Sequence, residues 1–379
     1  MKKITKWLKY LLWLILILIV SLVLVGVVFL NTSPEFGGSP TNTQVEIFKK
    51  SGHYIDGAFV NIQETTMDIG FDSIMDLFDK TITGSPNQRP DFDIPVLKVT
   101  PNDLLAPLAT RLIWFGHSAF LLQIDGANIL LDPMLGDVPA PSPLLGANRF
   151  SRELPIEIEE LPQIDAIIIS HDHYDHLDYG SIEKLKSKTK MFFVPLGVGA
   201  HFESWGINAK QIVELDWWES ASLNAIQISL APSRHFSGRG ITNRNSTLWG
   251  SWIIKGTKDN IYFSGDGGYG PHFKEIGEKY GPFDLAMMEC GQYNTKWGQI
   301  HMMPEQSAQA GVDVRAKLIM PIHWGAFTLS LHSWTDPVDR IVRKANELNV
   351  PIITPKIGEE IYLHPEAKAY SDKWWIKKD

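Results

Sequence analysis

The sequence predicts an α/β sandwich of two sheets, preceded by one transmembrane helix. Two observations carry the sandwich. From Arg111 onward, short apolar runs of strand length recur between turn-forming residues. Helical patterns are interspersed among those runs and are not gathered in a separate block. A third observation carries the membrane helix: Leu11 to Leu30 is an apolar run with only Ser21 and Gly26 as mild interruptions.

A helix of that length crosses the roughly 30 Å hydrocarbon core of a bilayer. Lys2, Lys3, Lys6 and Lys9 precede it, and the next basic residue is Lys49. By the positive-inside rule, residues 1–10 stay in the cytoplasm, 11–30 span the membrane, and the rest is exported. Trp7, Tyr10 and Trp13 suit an interfacial belt. The run exceeds a signal peptide's apolar region of about 7–15 residues, and no small-x-small cleavage site follows Leu30. A single-pass anchor in the cell membrane is therefore expected. Residues 31–109 read as a linker and N-terminal extension. Asn31 to Pro40 is rich in turn formers, and Gly84 to Pro90 is again loop. Between them, Asp68 to Lys80 suits a short amphipathic helix through Ile69, Ile74, Leu77 and Phe78.

Residues 110–365 read as one catalytic domain and 366–379 as a tail. Strands are expected at Leu112–Phe115, Ala119–Ile124, Asn128–Asp132, Asp165–Ser170 and Lys190–Pro195. A second series is expected at Ala225–Leu230, Leu248–Ile254, Asn260–Ser264, Asp284–Met288 and Lys317–Ile322. Helices are expected after Gly180, at Pro304–Val314 and at Pro337–Leu348. A chain of 379 residues, 44 % of them hydrophobic, supports a large core. The net charge of −8 argues against a nucleic-acid binder working through a broad basic face. Cys290 is the only cysteine, which excludes both an intramolecular disulfide and a cysteine-based zinc site.

The chemistry concentrates at Ser170 to Tyr179, SHDHYDHLDY, directly after the buried run Asp165–Ser170. His171, His173, Asp175 and His176 form an H-x-H-x-D-H pattern on a strand-to-helix turn. His171 and His173, two apart, point the same way in an extended backbone. Asp175 and His176 follow on the turn and serve a second, adjacent centre. Imidazole nitrogen and carboxylate oxygen suit zinc. Further ligands are sought at strand ends beside turn formers, where His235, Asp266 and His323 stand. His171, His173 and His235 then hold one metal, Asp175, His176 and His323 the other, and Asp266 bridges. Two such ions lower the pKa of a bridging water and make hydroxide available for attack. His301 is the candidate for substrate contact or proton transfer, and His117 takes either a rim role or a structural hydrogen bond. Asp132 is a candidate to orient a liganding imidazole. His53, His201, His272, His332 and His364 read as surface or structural. Trp217, Trp218, Phe236, Trp324 and Phe327 lie in sequence near these elements, as core or as the lining of an apolar groove.

Beyond the metal motif, a set of blocks resembles the N-acylphosphatidylethanolamine-hydrolysing phospholipase D branch of the metallo-β-lactamase superfamily, over about Arg111 to Leu363. These are Gly116-His-Ser, Leu131-Asp-Pro, Ile169 to Tyr179, Val194-Pro-Leu-Gly197, Glu214-Leu-Asp-Trp-Trp-Glu219, Leu248-Trp-Gly-Ser-Trp252, Gly281-Pro-Phe-Asp-Leu285 and Ile322-His-Trp-Gly325. The resemblance implies an αβ/βα sandwich of two mixed sheets flanked by helices, and two Zn2+ ions on the ligand set above; Asp266, Asp175 and His301 are the candidate catalytic residues. It also implies hydrolysis of a lipid phosphodiester to phosphatidic acid and an N-acylethanolamine. A soluble lactone, ester or phosphoester is the alternative substrate for the same metals. Gly267 stands where the family often has threonine. The sequence leaves the oligomeric state open, a homodimer included.

Overall fold

The computed structural model describes residues 2–67, 70, 75, 83–105, 109–364 and 372–377. Helix α1 (Lys2–Thr32) contains an apolar stretch, Lys6–Thr32, long enough to cross a membrane, and none of it is buried against the rest of the chain. Helix α2 (Asn42–Phe48) starts at a capping box in which Thr41 and Gln44 satisfy each other's backbone N–H groups. A hairpin, β1 (Tyr54–Ile55) with β2 (Ala58–Phe59), follows. Phe48 and Phe59 are fully buried, so this extension is packed against the domain and is not a free tether. The helix expected over Asp68–Lys80 falls outside the described residues except at Gly70 and Met75.

The domain then runs β3 (Arg111–Trp114), β4 (Phe120–Ile124), β5 (Ala127–Leu131), β6 (Ile164–Ile168), α3 (Tyr179–Leu185), β7 (Thr189–Pro195), α4 (Gly199–Ser204) and β8 (Ile212–Leu215). The second half runs β9 (Ser220–Leu223), β10 (Ile226–Ala231), β11 (Ser251–Lys255), β12 (Asn260–Phe263), α5 (His272–Tyr280), β13 (Leu285–Glu289), α6 (Pro304–Asp313), β14 (Ile319–Ile322), α7 (Asp336–Glu347) and β15 (Glu360–Tyr362). One sheet has the order β15-β3-β4-β5-β6-β7-β8 and the other β14-β13-β12-β11-β10-β9. Both sheets change from antiparallel to parallel pairing, at β5/β6 and at β12/β13. The expected sandwich of two mixed sheets is the fold observed.

The inner parallel strands carry largely apolar runs because both of their faces are covered, unlike β8 at the sheet edge, which is mostly half-buried. Trp114, Phe120, Trp252 and Phe263 fill the space between the sheets. Ile167, Phe192, Leu185 and Phe202 pack the outer face of the first sheet under its helices. Trp252 Nε1 donates across the sandwich to the Ile169 carbonyl at 2.9 Å. Trp374 and Trp375, read as tail, are buried with ring centroids 5.3 and 5.8 Å from Trp324.

Some elements differ from the sequence reading. Leu248–Gly250 is not strand: the Gly250 N–H donates to the Ser170 carbonyl of the other sheet at 3.0 Å. Strands β8, β9 and β15 and helices α4 and α5 carried too weak a pattern. β9 alternates serine with Ala221 and Leu223 at a sheet edge, and α5 is largely polar with Gly277 inside it.

Candidate metal centre

In both sheets the strands that run the same way end at one rim, and the polar residues sit there. Asp132 follows β5, His171 follows β6, and His235 follows β10. Asp266 follows β12, Glu289 ends β13, and His323 follows β14. Carboxyl ends of parallel strands are where open α/β sheets place ligands. The rim is tightly closed. Gly265 has φ +55, and a Cβ there would come within 2.7 Å of Ser170 Cβ and 2.8 Å of the Gly250 carbonyl, so only glycine lets the Asp266 loop approach the motif strand. His117, Asp132 and His323 all adopt left-handed backbone, with φ of 55, 38 and 66°. Non-glycine residues held there store strain, and such residues cluster at functional sites.

The side chains form two adjoining pockets. His171, His173 and His235 present ligand atoms to one point, with His171 Nε2 2.9 Å and His235 Nε2 3.3 Å from His173 Nδ1. Asp175, His176 and His323 converge on a second point, and His117 joins them. Asp175 Oδ2 lies 3.0 Å from His117 Nε2, 3.2 Å from His323 Nε2 and 3.5 Å from His176 Nε2. Asp266 stands between the pockets. Its Oδ2 is 3.0 Å from His323 Nε2 and 3.2 Å from His176 Nε2, and 3.9 and 4.0 Å from His171 and His235 Nε2.

These residues fit bound metal. Buried polar atoms are normally paired, yet His176 Nε2 and Asp266 Oδ1 have no hydrogen-bond partner among the described residues. Burial pushes His171, His173 and His235 below the usual imidazole range, which keeps them neutral, the form that ligates. Burial acts the same way on His323 but is outweighed by Asp266 and Asp175, which hold it up at about 10. His176 is likewise raised against burial by Asp266, Asp175 and Asp132. The second pocket thus gathers positive charge around its carboxylates, the charge a divalent cation would supply.

The supporting residues are as well placed. Asp132 Oδ2 accepts from His176 Nδ1 at 2.7 Å and from Ser170 Oγ at 2.5 Å, which turns His176 Nε2 into the pocket. His235 Nδ1 lies 2.9 Å from the Ile300 carbonyl, so its Nε2 is the free nitrogen. Asp172 is buried under the turn, with His201 Nε2 at 3.2 Å, Thr247 Oγ1 at 3.0 Å and the Gly238 N–H at 2.7 Å. His201 and His272 are buried and structural, whereas His364 is half-exposed beside Asp259 at 2.7 Å. A side chain on residue 267 would run into Ser233 Oγ, which donates to the Asp266 carbonyl; Gly267 leaves that space free.

Sequence reasoning missed two residues. Glu289 is fully buried, with Oε1 2.7 Å from His301 Nδ1 and its other oxygen accepting from the Met302 N–H. Its signal was a glutamate at the end of an apolar strand, on the rim that carries Asp266. Asn61, in the N-terminal extension, donates Nδ2–H to the His235 carbonyl at 2.7 Å and accepts the His235 N–H at 3.1 Å. Nothing near it in sequence suggests this. The centre opens through a mouth of about 300 Å3 whose lining includes Met67, Phe236, Gln292, Trp297, His301 and Leu329. Of the five aromatic candidates only Phe236 lines it. Trp217 and Trp324 are core, Phe327 packs on His117, and Trp218 stacks on Tyr280.

Residues 127–324 match a family model described as a beta-lactamase superfamily domain. An uncharacterized protein of Mycobacterium tuberculosis is 38 % identical over 353 residues, covering 91 % of this chain and 93 % of its own. The N-acyl-phosphatidylethanolamine-hydrolyzing phospholipase D 1 of Caenorhabditis elegans is 32 % identical over 264 residues, 66 % of this chain and 74 % of its own. Among solved structures, a metallo hydrolase of Ignicoccus hospitalis shares the fold with a TM-score of 0.51 and 22 % identity, covering 67 % of this chain and 97 % of its own.

Proposed function

The chain belongs to the beta-lactamase superfamily, and on that footing we propose that it is a membrane-anchored dinuclear zinc hydrolase of lipid phosphodiesters. N-acylphosphatidylethanolamine is the foremost substrate, and phosphatidic acid and N-acylethanolamine are the products. The observation that carries the reading is the pair of adjoining His/Asp pockets about Asp266, opening on one mouth. The relative in Caenorhabditis elegans supports the substrate by its name. Helix α1 supports the anchor, and the lysines before it support a cytoplasmic N-terminus with the domain at 110–365 outside.

His171, His173 and His235 would hold one zinc, Asp175, His176 and His323 the other, with Asp266 shared. Bound there, two zinc ions supply a water ionised near neutral pH and positive charge opposite the phosphoryl oxygens. In the hydrolysis a water oxygen bonds to phosphorus, the phosphorus–oxygen bond to the ethanolamine group breaks, and the departing oxygen takes a proton. Asp132 keeps His176 oriented throughout. Glu289 holds His301 Nδ1, which leaves His301 Nε2 to meet that departing oxygen. Trp297 and Leu329 give acyl chains an apolar wall beside it.

The test is hydrolysis in ¹⁸O-labelled water by the detergent-solubilised, zinc-loaded protein, with His171→Ala beside it. Label in phosphatidic acid from the wild type alone is expected. Cleavage of a lactone or soluble phosphoester with no lipid turnover would replace the lipid by the alternative substrate on the same metals.

A further inference from the structure

This inference rests on the phosphodiester reading and narrows its substrate class. Arg244 lies on the loop between β10 and β11, which is pinned from several sides. The Gly240 N–H donates to Asn243 Oδ1 at 2.7 Å, and the Asn245 N–H to the Ser237 carbonyl at 2.9 Å. Arg239 donates from Nε to the Glu35 carbonyl and from Nη1 to the Asp172 and Leu177 carbonyls. Gly238, with φ +138, lets the loop close: a Cβ there would press on Arg244 Cα at 3.2 Å. Arg244 is therefore held in place by its backbone.

Its guanidinium sits over the Phe236 ring, 4.1 Å from the centroid. Phe236 packs in turn on His173 and His235, at 4.5 and 4.9 Å, and lines the mouth. One aromatic ring thus separates a full positive charge from the ligand imidazoles. Among the described residues Arg244 forms no ion pair and no hydrogen bond, in contrast to Arg111, which pairs with Glu360 at 3.0 Å. The carboxylates lining the mouth, Asp175 and Asp266, are already engaged by imidazoles. Among the described residues, an ammonium headgroup would find there no carboxylate that is not already shared with imidazoles. The Phe236 face, a surface of the kind that otherwise receives a cation, is covered by the guanidinium.

We propose that Arg244 determines specificity by reading the charge of the leaving group. It admits phosphodiesters of an uncharged alcohol, as in an N-acylated ethanolamine, and turns away those of an alcohol that carries an ammonium. Like charges separated by about one ring, at a dielectric between protein surface and water, discriminate on the order of tenfold.

The experiment compares kcat/KM for N-acylphosphatidylethanolamine and phosphatidylcholine of matched chains in mixed micelles. It uses zinc-loaded full-length wild type, Arg244→Lys, Arg244→Gln and Arg244→Glu. The expected preference is kept by lysine, falls about tenfold with glutamine and falls further with glutamate, with metal content unchanged. Glycerophospho-N-acetylethanolamine and glycerophosphocholine, each read by the glycerol 3-phosphate released, give the same comparison without a lipid. A shift in that soluble ratio with no lipid cleaved leaves the role of Arg244 standing and removes the lipid reading. Identical ratios in all four proteins overturn the role of Arg244. If none of these compounds is cleaved, binding of ethyl phosphate against phosphorylcholine to the cobalt-loaded protein, read by its visible spectrum, decides. An equal preference in wild type and Arg244→Glu again overturns it.

Discussion

The two halves of the centre use the same residue types under the same burial, yet their electrostatics are opposite. The imidazole nitrogens of His171 and His235 lie 2.9 and 3.3 Å from His173 Nδ1, and the nearest Asp266 oxygen is 3.9 Å from His171 and 4.0 Å from His235. Burial pushes all three down. His176 and His323 are buried as deeply but touch Asp132, Asp175 and Asp266 at 2.7 to 3.2 Å, and both are pulled up. Burial alone therefore does not set the proton on a buried imidazole: His176 and His323, each among two or more carboxylates, are raised, whereas burial and the neighbouring His323 keep His117 low although Asp175 lies 3.0 Å away. The first pocket is a neutral box. The second is an anionic pocket whose protons stand where a cation would.

The largest effect should come from the residue that belongs to both halves. Asp266→Ala removes the carboxylate that separates and joins the pockets. Bound zinc should fall from two ions to one or fewer, and hydrolysis by on the order of 10³-fold or more. Metal analysis beside turnover checks this. Two ions retained at full occupancy would show that the pockets are independent.

A pH series sharpens the comparison next. In the metal-free protein His323 is held up at about 10 from an ordinary 6.5, so its stabilising contribution is complete below about 6.5 and lost as pH rises through about 10. His117 behaves oppositely: burial lowers it to about 3, so its contribution is present above 6.5 and lost as pH falls toward 3. The melting temperature of the metal-free protein should therefore fall at both extremes. Zinc entering the second pocket must displace protons, so affinity there should rise about tenfold per pH unit for each proton, up to near pH 10. Affinity of the first pocket should stay flat from about pH 6.5 upward. Calorimetric titration in buffers of different ionisation enthalpy counts the protons released. Equal release at both steps would erase the distinction.

The same contrast explains what was legible in the sequence. His171, His173, Asp175 and His176 sit on one turn, so their spacing announces the site. His235, Asp266 and His323 come from separate strand ends and were found because strand ends beside glycines mark a rim. Glu289 was missed because it reads as the last residue of an apolar strand. The sandwich was legible because its inner parallel strands are buried on both faces and read as apolar runs. β9 and β15, short edge strands, carry no such run. Arg244 and Phe236 meet through a loop closure that depends on Gly238, a conformation that residue spacing does not encode.

The smallest expected effect concerns Asn61, and it tests whether the halves are supported separately. Its amide clamps both backbone atoms of His235, and its Oδ1 also receives Trp249 Nε1 at 3.2 Å. It touches no carboxylate of the second pocket. Asn61→Ala should weaken zinc in the first pocket by about tenfold, the low end for residues that orient ligands. The proton-linked second step should be left intact. Asn61→Asp keeps the acceptor for the His235 N–H but loses the donor to its carbonyl, so it should fall between wild type and alanine. The visible spectrum of cobalt placed in the first pocket reports the geometry directly, which a general loss of stability would not alter. Equal weakening of both steps in Asn61→Ala would mean that the extension stabilises the whole rim. Weakening of the first step alone would mean that residues outside the sandwich tune one metal of the pair.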